Sequence, residues 1–151
     1  MKQNNIQFLH DDFDTTCIIN DGEVEVKATA HCEPEHQKFH TNLAGENLAY
    51  YKALEKYYHK YATITKEKID ELLRLQNYLF PQKFFNEKKV PKDTIYGVNM
   101  VRDRLDKEIM ALKELFSEYK GYELAFAMKI TEWVIYKDNL FKKFRKKAEE
   151  K

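Results

Sequence analysis

The sequence predicts an α+β fold: an N-terminal β-hairpin packed on long α-helices that fill the C-terminal two-thirds. Three observations predict it. Residues 23–32 alternate apolar and polar side chains behind an Asn20-Asp21-Gly22 turn. From Thr41 onward the apolar residues recur at helical spacing. Glycine and proline number only 4 and 3 in 151 residues while 34% are charged, a balance that suits solvated helices better than a loop-rich sandwich.

The elements follow in chain order. Ile6–Leu9 fits either a short first strand or an arm. Phe13–Ile19 reads as a strand, since Thr15, Thr16, Ile18 and Ile19 are β-branched and suit a pleated surface. Asn20-Asp21-Gly22 is a hairpin turn in which Gly22 can take the left-handed conformation. In Glu23–Cys32, Val24, Val26, Ala28, Ala30 and Cys32 share one face, and Glu23, Glu25, Lys27, Thr29 and His31 share the other. That contrast fixes the register, because a slip of one residue would bury the charges. Pro34 ends the strand by withdrawing a backbone donor.

Four helices are expected after the corner. Thr41 or Asn42 caps the first, with Leu43 or Ala44, Leu48, Tyr51, Leu54 or Glu55, Tyr58 and Tyr61 on its core face. Thr63–Thr65 interrupts it, and Thr65 caps a second helix carrying Ile69, Leu72, Leu73, Gln76 and Leu79, which Pro81 stops. Residues 81–93 form a lysine-rich loop with two prolines. Asp93 or Thr94 caps a third helix with Ile95, Val98, Arg102, Leu105, Ile109, Leu112, Phe116 and Tyr119 along one stripe. Gly121 ends or bends it, and a fourth runs from Tyr122 to about Ala148 with Leu124, Met128, Thr131, Ile135, Phe141 and Phe144. The organisation is residues 1–62 as hairpin plus first helix and residues 63–151 as a helical extension, forming one compact unit.

A net charge of +1 argues against a dedicated nucleic-acid binder, but the distribution is uneven. The first 41 residues are acidic, and the tail with Lys142, Lys143, Arg145, Lys146 and Lys147 is basic. The N-terminus MKQNNIQFLHDD has no apolar run of signal-peptide length, and no stretch approaches a bilayer span. Cys17 and Cys32 are the only cysteines, too few for a secreted disulfide scaffold. A cytoplasmic protein without contact to a membrane is expected.

Ala30, Cys32, Pro34 and Phe39, followed by Gly45, Leu48, Ala49, Lys52, Ala53 and Leu54, make an A-x-C-x-P…F…G-x-x-L-A strand–corner–helix pattern over about a third of the chain. This pattern resembles a group of small phage- and prophage-encoded proteins, some described as double-stranded-RNA-binding-like, with counter-defence proteins of similar plan nearby. His31 stands where that pattern has lysine, Glu33 where it has histidine, and the step from Pro34 to Phe39 is one residue longer. The resemblance implies a phage setting, in the cytoplasm of the host, and a protein that inhibits host immunity by binding a nucleotide signal or a defence protein. RNA binding through Lys142–Lys147 and a plain structural or oligomerisation role are the alternatives. The acidic hairpin residues Asp11, Asp12, Asp14, Glu23 and Glu25 would repel RNA and can mimic nucleic-acid charge toward a basic protein.

Among candidate sites, Cys17, Cys32, His36 and His40 are of zinc-ligating type if Cys17 lies opposite Cys32, but their spacing is not that of a zinc finger. The competing reading, buried cysteines that behave as small hydrophobes, leaves no metal and no cofactor. Nucleophilic catalysis is poorly supplied: Ser117 is the only serine, neighbouring strand residues point apart, and no glycine-rich phosphate loop occurs. A non-enzymatic protein is expected. A nucleotide pocket is the sharper candidate. Arg102 sits on an apolar stripe with Arg104, Asn99 and Tyr96 close by, Gly97 in the first turn permits close approach, and Phe84 and Phe85 can stack on a base. The plainer reading pairs Arg102 with Asp103 or Asp106. Tyr50-Tyr51 and Tyr57-Tyr58 offer surface rings for self-association, so a homo-oligomer is expected.

Overall fold

The computed structural model of the chain describes residues 5–32, 41–79 and 92–149. It shows a three-stranded antiparallel sheet followed by two long helices, an α+β fold. The strands β1 (Asn5–Asp11), β2 (Asp14–Asn20) and β3 (Glu25–His31) form a meander in the order β1-β2-β3. Residues 6–9 therefore belong to a full strand, not an arm: Ile6 pairs with Ile19 and Phe8 with Cys17. At the β1–β2 turn Asp12 takes a φ of 51°, a left-handed value that aspartate tolerates better than most side chains.

The β2–β3 connection is built by side chains as much as by backbone. Gly22 has a φ of 93°, as its place in the turn requires. Asn20 Oδ1 accepts from the Gly22 amide at 2.8 Å. Asp21 Oδ1 accepts from the amides of Glu23 at 2.9 Å and Val24 at 2.8 Å, which holds β3 back until Glu25. The alternation itself is as expected, with Val24, Val26, Ala28 and Ala30 buried opposite Thr15, Cys17 and Ile19. Outside, Thr16 and Thr29 share a hydrogen bond at 2.9 Å.

Among the described residues two helices follow where four were expected: α1 (Asn42–Leu79) and α2 (Lys92–Glu149). Thr63–Thr65 does not interrupt α1. Thr65 is buried, and its hydroxyl donates to the Tyr61 carbonyl one turn back at 2.8 Å, so its polar group is satisfied inside the helix. Intrinsic propensity is a weak prior that burial overrides here. Gly121 likewise neither ends nor caps anything, because α2 continues through it. A Cβ added there meets nothing within 4 Å. Gly121→Ala should therefore raise stability by about 0.5–1 kcal/mol, read from the urea midpoint. A helix-ending glycine with positive φ would give the opposite sign.

Continuity changes which face of α2 is inside. Val98, Arg102, Leu105, Ile109, Leu112, Phe116, Tyr119, Glu123, Phe126, Ile130, Trp133, Lys137 and Leu140 are half-buried or buried and spaced four and three in strict alternation, with Leu115, Ala127 and Phe141 buried or half-buried beside them. This is a heptad seam, the pattern of helices that pack side by side. The stripe expected for residues 95–119 follows it, although Ile95 itself stays exposed. The stripe expected beyond Gly121 departs from it at Leu124, Met128 and Ile135, which are 62%, 56% and 56% exposed, while its Phe141 is buried.

The chain divides into two compact units, Met1–Lys60 with Lys120–Lys151, and Tyr61–Tyr119. In the first, Leu48, Ala49, Ala53 and Leu54 of α1 are buried with the inner face of the sheet, and the alanines on α1 and β3 permit a close approach. Phe8 meets Tyr50 edge-on with centroids 6.5 Å apart, His10 bonds Glu46 at 2.9 Å, Lys56 donates to the Lys27 carbonyl at 3.0 Å, and Tyr57 donates to Asp21 Oδ2 at 2.8 Å. On the other side of α1, Tyr58 lies parallel to Phe126 at 5.8 Å and Tyr51 stacks on the same ring at 6.3 Å. In the second unit Tyr61 stacks on Tyr119 at 5.4 Å above buried Ala62, Thr65, Ile69 and Ile109.

Glu123 fills a seam position with a charge. Partial burial opposes its ionised form, but hydrogen bonds from Lys120 at 3.1 Å and His59 at 2.9 Å, with their positive charge, outweigh it and hold its pKa below the ordinary 4.5. A depressed carboxyl contributes stability that is present above the unfolded value and is lost as pH falls through the folded one. The gap in urea midpoint between wild type and Glu123→Gln should thus be widest at neutral pH, at about 1 kcal/mol or less, and close as pH drops below 4.5.

Candidate functional site

The site that the fold builds is an aromatic-walled pocket in the unit that contains the sheet. Its volume is about 360 Å³. Phe13, Ala30, His31 and Cys32 bring one wall from the strand ends, where the Cys32 amide donates to the Phe13 carbonyl at 3.0 Å. Thr41, Ala44, Gly45 and Leu48 supply a second from the start of α1, held there because Thr41 caps the helix, its hydroxyl accepting from the Ala44 amide at 3.1 Å. Trp133, Tyr136, Lys137, Leu140, Phe141 and Phe144 complete it from the last turns of α2.

Small residues make the room and large ones make the walls. Ala30, Ala44 and Gly45 leave space between strand and helix that five rings surround. Trp133 and Tyr136 lie 5.9 Å apart, and Phe141 is buried while Tyr136 and Phe144 stand at the rim. Lys137 places its Nζ 6.0 Å above the Phe141 ring. His31 is held by the Asp14 carboxylate. No other lysine or arginine, and no acidic side chain, is among the described lining residues. Such a surface holds a flat apolar group and can orient it with few polar contacts.

The residues expected to form a nucleotide pocket are placed elsewhere. Tyr96, Asn99 and Arg102 step along one side of α2, with Tyr96 and Asn99 exposed and Arg102 half-buried on the seam. Arg104 follows Arg102 by two residues, about 200° around the helix, so the two guanidiniums leave on opposite sides. Gly97 lies in the second turn of α2, because the helix begins at Lys92. Its amide belongs to the intrahelical ladder and is turned away from any anion. Phe84 and Phe85 lie outside the described residues.

Register decides the cysteine pair. Cys17 pairs with Ala28, whereas Cys32 sits beside Phe13, four residues further along the edge. At about 3.4 Å per residue the two are roughly 13 Å apart, too far to share one zinc ion. Cys17 is fully buried, and burial pushes its thiol up to about 11. His36 and His40 lie outside the described residues, among which no group of three or more metal-ligating side chains occurs.

The tyrosine pairs do not supply a free surface. All four rings are half-buried, and Tyr50, Tyr51, Tyr57 and Tyr58 engage Phe8, Phe126, Asp21 and Tyr122 within the first unit. Asp11, Asp12, Glu23 and Glu25 are exposed, with Asp14 half-buried against His31. Lys142, Lys143, Arg145, Lys146 and Lys147 are exposed near the end of α2, where cations suit the helix dipole. No helix among the described residues is long and apolar enough to cross a membrane.

Trp133, Tyr136, Lys137 and Leu140 are the wall residues that sequence reasoning missed. The signal was there: extending the stripe of residues 98–119 through Gly121 without a phase change lands on Trp133, Lys137 and Leu140. Comparison of the chain with protein-family models, with curated proteins and with solved structures finds no match.

Proposed function

We propose that this chain is a non-enzymatic binding protein of phage counter-defence type, which inhibits a host immune response by occupying its target. The counter-defence setting comes from the strand–corner–helix resemblance. The binding role rests on the aromatic pocket: the rings of Phe13, Trp133, Tyr136, Phe141 and Phe144 around about 360 Å³, with Lys137 in the wall. Of the two targets considered, a nucleotide signal suits this pocket better, because a base presents a flat apolar face that the rings can cover. Native mass spectrometry of the protein after incubation with a nucleotide-rich cell extract tests this directly. The expected result is a discrete nucleotide-sized mass on a homo-oligomer, lost in Ala44→Phe, which fills the pocket. Retention in Ala44→Phe together with loss in Arg102→Ala would move the ligand to the start of α2. No added mass with either protein would end the small-ligand reading.

A second reading, inhibition of a basic host protein, is favoured by the exposed carboxylates of Asp11, Asp12, Glu23 and Glu25 around the two turns. It requires an interaction that weakens with salt and with charge reversal at Glu23 and Glu25. Binding to a host protein that ignores both would exclude charge mimicry.

A further inference from the structure

We infer that two copies of this chain pair edge to edge through β1, running antiparallel about Phe8 so that their sheets join into one. The assignment does not depend on what the pocket holds. It starts from where the backbone groups of the sheet point. In an antiparallel pair, alternate residues exchange both of their backbone hydrogen bonds with the partner strand, and the residues between them direct theirs away. The Cys32 amide donates to the Phe13 carbonyl, so in step with that pair Ala30, Ala28 and Val26 bond to Thr15, Cys17 and Ile19. The intervening residues of β2 therefore bond to Asp11, Leu9, Gln7 and Asn5 of β1. The amides and carbonyls of Ile6, Phe8 and His10 are left directed away from β2, along the edge of the sheet.

The two edges differ. Strands that must not recruit another strand carry lysine, proline or a bulge, or are covered. The β3 edge fits that description: Lys27 stands on it, and the outward-directed Lys27 carbonyl accepts from Lys56 Nζ of α1 at 3.0 Å. Among the described residues β1 is paired on one side only. Its seven residues, NIQFLHD, include no lysine, arginine, proline or glycine, and it follows β2 in unbroken register. Every position but half-buried Phe8 is exposed, Ile6 at 41% and Leu9 at 55%. Such a strand is a template for another strand.

The sequence of β1 complements its own reverse, which makes a second copy the occupant. With Phe8 opposite Phe8 of the second copy, Ile6 meets His10, Gln7 meets Leu9 and Asn5 meets Asp11, each twice by symmetry. The outward-directed residues then face one another as hydrogen-bonded pairs over the whole strand, and any other two-fold centre shortens the overlap. An aromatic pair stands at the centre, and no like charges lie opposite one another. The edge is a small contact, so pairing should depend on concentration.

Sedimentation velocity over a range of concentrations and residue-resolved amide hydrogen exchange, both on the full chain, test this. The expected result is a monomer–dimer equilibrium in which the amides of Ile6, Phe8 and His10 become protected as concentration rises, while those of Gln7 and Leu9, bonded to β2, are protected throughout. Gln7→Lys with Leu9→Lys, both at exposed positions on the outer face, sets lysine opposite lysine twice and should weaken the dimer about tenfold. Gln7→Glu with Leu9→Lys sets carboxylate opposite ammonium at the same places and should return it to within about threefold of wild type. The exchange measurement needs no variant, so it decides even where one fails to fold.

A single-chain mass up to about 1 mM would overturn the pairing and leave the edge to a strand of a different protein. A dimer in which the amides of Ile6, Phe8 and His10 exchange as fast as in the monomer would overturn it by placing the contact on another face. Equal weakening by both double variants would overturn the register about Phe8.

Discussion

Asp21→Ala should lower the free energy of unfolding by about 3 kcal/mol, because one buried carboxylate closes the β2–β3 turn and fastens it to α1. Asp21 is only 7% exposed. Its Oδ1 takes the amides of Glu23 and Val24, its Oδ2 takes the Tyr57 hydroxyl, and its own amide donates to the Val24 carbonyl at 3.2 Å. Alanine keeps that last bond and strands the other three donors. Tyr57→Phe removes one bond together with its donor and should cost about 1 kcal/mol. Asp21→Asn retains an acceptor for the two amides and should fall between them. Urea unfolding followed by circular dichroism gives all three values. A loss below about 1 kcal/mol for Asp21→Ala would mean that the turn holds without its carboxylate.

Ile19→Ala should cost about 3–4 kcal/mol, at a site where the side chain is wholly enclosed. Ile19 pairs with Ile6 on one side and Val26 on the other, in the middle of the buried face. Deleting its three outer carbons removes their burial and leaves a void that strand pairing prevents from collapsing. The neighbouring Ile18 faces the other way, opposite Gln7 and Lys27, and is only half-buried. Ile18→Ala should cost under about 1 kcal/mol. Equal losses at the two positions would contradict the register of the sheet, since alternate residues of a strand meet different environments.

The sheet was legible because its code is binary. Val24, Val26, Ala28 and Ala30 against Glu25, Lys27, Thr29 and His31 leave one register that buries no charge, and Gly22 marks where the chain reverses. Helix breaks were less legible. Thr65 and Gly121 are poor helix formers, but a long helix held by side-chain packing absorbs a cost of about 1 kcal/mol at each. The false break at Gly121 also reset the phase of the stripe. Glu123 and Lys137 hid the true seam, since each brings a charge to a position that pattern reading reserves for apolar side chains, and only neighbours contributed by the fold explain them. The pocket was illegible for a related reason: the strand–corner–helix pattern joins only two of its walls, through Ala30, Cys32, Gly45 and Leu48, and the third comes from the far end of α2. Arg102 on its apolar stripe was correctly located, whereas convergence with Arg104 failed on the helical angle between them.

The unit that holds the sheet is assembled from two stretches of chain, with residues 61–119 inserted between them. Its contacts between α1 and the last part of α2, such as that of Tyr58 with Phe126, join residues far apart in sequence, and contacts of that kind form late because a long loop must close first. On the ribosome the strands and the first turns of α1 emerge before residues 61–119, and the helical segment that finishes their core emerges after them. Until residues 120–151 leave the exit tunnel, the ring of Tyr58 waits for its cover, and that interval is when the nascent chain is open to aggregation or to a chaperone.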